Sequence, residues 1–109
     1  MDAKSLFIEL MGDSPMIRVL DYLLTERELD FSITDMAENS GIGRATLYRI
    51  WDNLMKNEII SHTRNIGKAK LFKLNTANTK IKKLIEIYDM LILEELKTRG
   101  KKEEKFIVR

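Results

Sequence analysis

The 109-residue chain is predicted to fold as an α+β domain, mainly α with one small β-hairpin. Three observations point there. Apolar residues recur at three- and four-residue intervals along most of the chain, which is helical spacing. Strand-like alternation around a glycine turn appears once, between residues 60 and 74. Hydrophobic residues make up 44% and charged residues 33%, enough for a packed core under a solvated surface.

The elements follow in order. In "SLFIELMG", Leu6, Phe7, Leu10 and Met11 have helix spacing, and Gly12 ends the helix. Ser14 is the N-cap of the next helix, with Pro15 at its first position. Ile17, Leu20, Leu23 and Leu24 form its buried stripe. Phe31 and Ile33 alternate and suggest a short strand. Thr34 is expected to cap a short helix, "DMAENS", with Met36 and Ala37 inward and Gly41 as its stop. A longer helix follows from about 43 to 57, burying Leu47, Ile50 and Leu54. Two strands, Ile60 to Arg64 and Lys70 to Leu74, flank a turn at Asn65-Ile66-Gly67, with Ile60, Phe72 and Leu74 toward the core. A long helix begins near residue 76 and stops at Gly100. The tail, residues 101–109, is charged and then apolar, and is expected to be frayed or docked.

Composition excludes several function classes. There is no cysteine, and His62 is the single histidine, so neither a disulfide framework nor a Cys/His zinc site forms within one chain. His62 itself reads as an exposed strand residue. No apolar run reaches the roughly 18 residues of a membrane helix. The start, "MDAKSLFIELMGD", lacks the basic and long apolar parts of a secretion signal. A cytoplasmic protein without membrane contact, cofactor or metal is expected. No carboxylate pair, activated nucleophile or phosphate-cradling loop is visible, and "GIG" is too short for a dinucleotide fingerprint, so an enzyme is not expected.

Charge is unevenly spread although the net value is only +2. Residues 1–42 carry 3 basic and 9 acidic side chains; residues 43–75 carry 7 basic and 2 acidic. A basic middle beside an acidic start suggests a surface facing a polyanion. Residues 33–60 supply the geometry. A short helix with a small residue, Ala37, at its centre joins a longer helix through Gly41 and the plug residue Ile42. Such a pair is a helix-turn-helix, whose second helix enters the DNA major groove. Its exposed N-terminal residues here are Arg44, Ala45, Thr46, Tyr48 and Arg49, with no acid before Asp52. Arg bonds guanine bidentately, Thr bonds a base or touches the thymine methyl, and Tyr donates to phosphate. Arg44, Thr46 and Arg49 are the base-reading candidates, and Tyr48 a phosphate contact.

The stretch "ITDMAENSGIGRATLYRIWDNLMKNEII…RNIGKAKLFKLN" resembles winged helix-turn-helix regulators of the broad MarR, ArsR and TrmB kind. Ile33, Ala37, Gly41, Ile42, Thr46, Leu47, Ile50, Leu54, Ile59, Ile60, Phe72 and Leu74 fit that pattern, over about residues 14 to 75. Gly43 stands where the family often has Ser as the helix cap. Glu58 stands where it usually has Gly, and Asn57 is expected to take the left-handed conformation instead. The resemblance implies that the hairpin is a wing lying on the DNA minor groove or backbone. Arg64, Lys68 and Lys70 around its turn would release counterions there.

The long helix is apolar over more than one face, through Ile81, Leu84, Ile85, Ile87, Tyr88, Met90, Leu91, Ile92 and Leu93. With the first helix it is expected to form a twofold dimer, through Leu6, Phe7, Leu10, Leu84, Ile87, Tyr88 and Leu91. The family resemblance implies the same homodimer. The expected organisation is residues 1–12 as a dimer-contact helix, 13–75 as the DNA-binding domain and 76–100 as the dimerisation helix. The expected function is sequence-specific binding of double-stranded DNA in transcriptional regulation. Weakly specific architectural DNA binding and a winged helix serving protein interaction are the alternatives. The operator, the sign of regulation and any small-molecule effector are not legible.

Overall fold

In the computed structural model, the backbone is described for residues 5–107 and the side chains for 5–98. Each helix starts at a residue whose chemistry suits a start. Helix α1, Leu6–Met11, begins at Ser5, whose Oγ accepts from the Ile8 amide, and ends at Gly12 with φ 97°. Helix α2, Pro15–Thr25, begins at Ser14, whose Oγ accepts from the Ile17 amide. Strand β1 is only Asp30–Phe31. Ile33, expected in that strand, instead opens α3, Ile33–Ser40. The cap is Ser32, not Thr34, because the Ser32 Oγ accepts from the Asp35 amide and starts the helix earlier. Helix α4, Arg44–Lys56, follows Gly43 as its N-cap.

Strands β2, Ile60–Ile66, and β3, Ala69–Leu74, form the hairpin, and β1 pairs with the other edge of β3. The expected turn Asn65-Ile66-Gly67 is displaced. Asn65 pairs with Lys70 and Ile66 with Ala69, leaving Gly67-Lys68 as a two-residue loop. Gly67 has φ 59° and Lys68 is not in the left-handed region, the pattern of a II′ turn. Thr63 is an extra residue in β2, at a register shift between His62 and Arg64.

Helix α5, Thr79–Ile107, runs through Gly100 without stopping. An interior glycine costs only about 1 kcal/mol, and the Lys/Glu-rich segment after it consists of good helix formers. Residues 101–107 are therefore helical backbone, while the expected apolar tail residue Val108 lies outside the described residues. At about 1.5 Å per residue this helix spans roughly 43 Å. It accounts for the elongated outline, 58 × 31 × 26 Å. No helix among the described residues is long and apolar enough to cross a membrane.

One core joins these elements: Leu23 and Leu24 of α2, Met36 and Ala37 of α3, Leu47 and Leu54 of α4, Ile60 of β2, Phe72 and Leu74 of β3, and Ile81 of α5. Val19, not Ile17, completes the α2 stripe; Val19 is fully buried and Ile17 only half-buried. Ile50 is likewise half-buried against this core. Phe7 of α1 and Tyr88 of α5 meet edge to face, their centroids 5.8 Å apart, and both are buried within the chain. They are core residues already covered by their own chain, a correction to their expected place at a dimer contact.

Candidate nucleic-acid interface

The turn between α3 and α4 is fixed by backbone chemistry. Gly41 takes the left-handed conformation, φ 74°, and donates to the Glu38 carbonyl at 3.1 Å. The Ile42 amide reaches the Ala37 carbonyl at 3.0 Å. This pair of bonds is a Schellman motif, and it turns the chain from α3 into α4, with the small residue Ala37 buried in the core. The far end of α4 closes the same way, Glu58 to Met55 at 3.0 Å and Ile59 to Leu54 at 2.9 Å. Here Glu58 itself holds the left-handed position, φ 53°, and Asn57 does not, φ −89°. As the residue that caps α4, Asn57 turns its side-chain amide back to donate to the Asn53 carbonyl at 2.9 Å.

Helix α4 then divides by direction. Leu47 and Leu54 point into the core, with Ile50 beside them. Ala45, Tyr48 and Arg49 are exposed on the opposite side, with Asp52 in the next turn. Trp51 meets Phe72 edge to face at 4.9 Å and pins the helix against the hairpin. Arg44 lies on that same side, and its Nη2 donates to the Tyr48 Oη at 3.4 Å.

A cleft of about 290 Å³ lies between the start of α4 and the hairpin tip. Arg44, Tyr48, Lys68 and Lys70 line it, together with Thr34 of α3. Four of the sequence-selected residues are thus brought together. Thr46 is not among them. It is half-buried and lines a separate cleft with Ser14, Arg18 and Gly43, on the α2 side. Arg18 there is held by Asp13 at 2.7 Å.

Arg64 is also set apart. It is ion-paired to Asp30, with Nε at 3.0 Å and Nη2 at 3.2 Å from the two carboxylate oxygens. Thr63 Oγ1 donates to the same carboxylate at 2.6 Å. These donors hold the Asp30 carboxyl down at about 2, the Arg64 hydrogen bond being the largest cause. No local pattern signals this pairing, because 34 positions separate the partners. Thr34 is a further cleft residue that the sequence reading does not single out; its place in the first turn of α3, the first helix of the helix-turn-helix, is the available signal. His62 is exposed, as expected, and its Nε2 lies 2.7 Å from Asn65 Oδ1. No group of three His, Cys, Asp or Glu that could hold a metal occurs among the described residues.

No protein-family model matches the sequence, and no curated protein matches it. Solved structures do match. The chain superposes on MepR, a transcription regulator of the Staphylococcus aureus multidrug efflux pump MepA, with a TM-score of 0.61 and 17% identity, over 93% of this chain and 75% of MepR. A ZitR variant of Lactococcus lactis in apo form gives 0.60 and 18%, over 93% and 80%. The adhesin competence repressor AdcR of Streptococcus pyogenes gives 0.59 and 17%, over 81% of this chain and 65% of AdcR. The chain therefore spans about two thirds of AdcR. It shares with these proteins the winged helix-turn-helix fold, α3 and α4 forming the helix pair and the hairpin following them.

Proposed function

We propose that the protein is a sequence-specific, double-stranded DNA-binding transcriptional regulator that acts as a homodimer. One observation carries this reading. Arg44, Tyr48, Lys68 and Lys70 converge on one cleft, beside an outward helix face of Ala45 and Arg49. The major groove is about 12 Å wide and admits one helix. With α4 seated there, Arg49 and the small Ala45 face base edges. Arg44, Tyr48, Lys68 and Lys70 line one phosphate strand. Thr46 lies toward the other strand, near the start of α2. The fold supports the reading, since the solved structures that share it include transcription regulators.

The homodimer rests on apolar surface the chain leaves open. Leu10 is 62% exposed, Met90 61%, Leu93 58% and Leu96 55%, with Ile87 exposed beside them. Leu6, Leu84 and Leu91 are half-buried at the margin of this surface. Leu10 belongs to α1 and the others to α5, the helix that projects from the body. A second copy would cover this face and set two recognition helices roughly 34 Å apart, one turn of DNA.

The test is selection of duplexes from a random pool by the full chain. Enrichment of a near-palindrome with half-sites about 10 base pairs apart is expected. Retention of duplex without enrichment would point to an architectural binder. No retention at low salt would overturn the reading in favour of a protein-interaction module.

A further inference from the structure

The wing has a weak point in its middle. Thr63 interrupts the β2–β3 ladder, and a bulge of this kind bends a strand and loosens its pairing. Beyond it, Arg64, Asn65 and Ile66 pair only with Leu71, Lys70 and Ala69 of the same hairpin. The angle of this outer segment is not set by its own ladder. Asp30 bridges the gap. It sits on the two-residue strand β1, opposite Lys73 of β3. Its carboxylate reaches across β3 to β2, taking the Thr63 hydroxyl and two nitrogens of Arg64. Thr63 Oγ1 also lies 3.3 Å from the Leu71 carbonyl, so the same hydroxyl touches three strands at the bulge. The Asp30 side chain is only 17% exposed while that of Arg64 is 62% exposed, so the acid is covered by its partners.

We propose that Asp30 fixes the angle of the wing against the recognition helix, and that Arg64 acts through Asp30 as a positioning residue, not as a phosphate ligand. The inference rests on the DNA-binding reading for its consequence, though not for its geometry. A guanidinium engaged twice by a carboxylate brings no net charge to the DNA. Its function is to aim Lys68 and Lys70, which stand four and six residues further along the hairpin. The two accounts differ in sign. If only charge mattered, removing the acid near a DNA-facing surface would tighten binding. If position matters, removing it loosens the wing and weakens binding.

The experiment has two arms. Without DNA, the heteronuclear NOE of the Gly67 and Lys68 amides reports the motion of the wing tip. Asp30→Asn and Arg64→Gln should both lower it, while amides in α2 and α3 keep their values. An unchanged tip in both variants would overturn the proposal, whatever the protein binds. With the selected duplex, the dissociation constant is measured across salt for the two variants and their combination. Each single variant should weaken binding by about five- to tenfold, and the double variant no further, as coupled partners behave. Tighter binding by Asp30→Asn, or a salt slope reduced by about 0.9 in Arg64→Gln alone, would make Arg64 a phosphate ligand and sink the proposal. A loosened tip in a protein that selects no duplex would leave the clamp standing and remove the DNA reading.

Discussion

At the scale of single residues, the basic side chains are not equivalent, although the sequence writes them alike. Arg49 is exposed on the outward face of α4, the stretch that the proposed docking sets against base edges. Arg49→Ala should weaken binding to the selected duplex by about 1–3 kcal/mol and relax preference at one base pair, read by competition binding. Lys68, at the hairpin tip, should behave differently. Lys68→Ala should weaken all duplexes alike and reduce the salt slope by about 0.9. Equal losses on specific and random duplex for both variants would remove the base-reading role of Arg49. Asp30 makes a prediction about pH. Its folded carboxyl lies at about 2, below its ordinary 3.8, through the hydrogen bonds of Arg64 and Thr63. Its contribution to stability is therefore complete above about pH 4 and is lost as pH falls toward 2. A denaturant series between pH 5 and 2 should show a steeper loss for the parent than for Asp30→Asn. Parallel curves would mean that the pair adds nothing to stability.

At the scale of elements, the Schellman turns before and after α4 share one motif and differ in one residue. Gly41 suits its left-handed conformation, and Glu58 does not. A left-handed residue with a side chain costs about 1–2 kcal/mol. Gly41→Ala should thus destabilise by about that amount. The added Cβ would meet only the flexible end of Arg18, at 3.3 Å, so the cost is in the backbone. Glu58→Gly should stabilise, by about 0.5–1 kcal/mol after the larger freedom of glycine in the unfolded chain is counted. The Glu58 carbonyl keeps its bonds from Asn75 and Asn78, which use the backbone alone. Urea unfolding at one fixed protein concentration checks both signs. A destabilised Glu58→Gly would mean that the glutamate side chain makes a contact that outweighs its strain.

These ends also show what a sequence pattern can carry. The Gly41 stop and the two helices beside it were legible because a glycine at a helix end has one main use. At the Glu58 end the sequence pattern points one residue early, to Asn57. Asparagine is the better left-handed residue taken alone. The register of α4 overrides that preference, because Ile59 must reach the core side while its amide meets the Leu54 carbonyl. Gly100 erred the other way: a glycine flanked by strong helix formers did not stop α5. Among the candidate site residues, the spacing of α4 separates the exposed Arg44, Ala45, Tyr48 and Arg49 from the buried Leu47 and Leu54. It could not tell which side of that face would meet the wing, so Thr46 was grouped with Arg44 and lies elsewhere.

At the scale of the whole molecule, the open question is what covers α5. Its first turns bury Ile81 and Tyr88 against the body, and its later part presents Met90, Leu93 and Leu96 to solvent. A helix with apolar residues on its outer side needs a partner surface. Light scattering on a sizing column should give twice 12.8 kDa at micromolar concentration. Leu93→Glu combined with Met90→Glu should give the single-chain mass while leaving the hairpin and helix-turn-helix folded, as judged by the environment of the single tryptophan, Trp51. The monomeric variant should bind a half-site weakly and lose the gain from two linked recognition helices. A parent that elutes as one 12.8 kDa chain would end the dimer proposal without touching the fold.

The sequence by itself determined the order of the elements, the helix-turn-helix and the hairpin. Periodicity, caps and glycine turns are local signals, and each acts over a few residues. Only the tertiary structure decided the allegiance of each charged and apolar side chain. It paired Arg64 with Asp30, turned Thr46 from the wing cleft, and enclosed Phe7 with Tyr88. Those outcomes depend on which elements the chain brings together across tens of residues. Folding fixes that through the shared core, and no short stretch of sequence contains it.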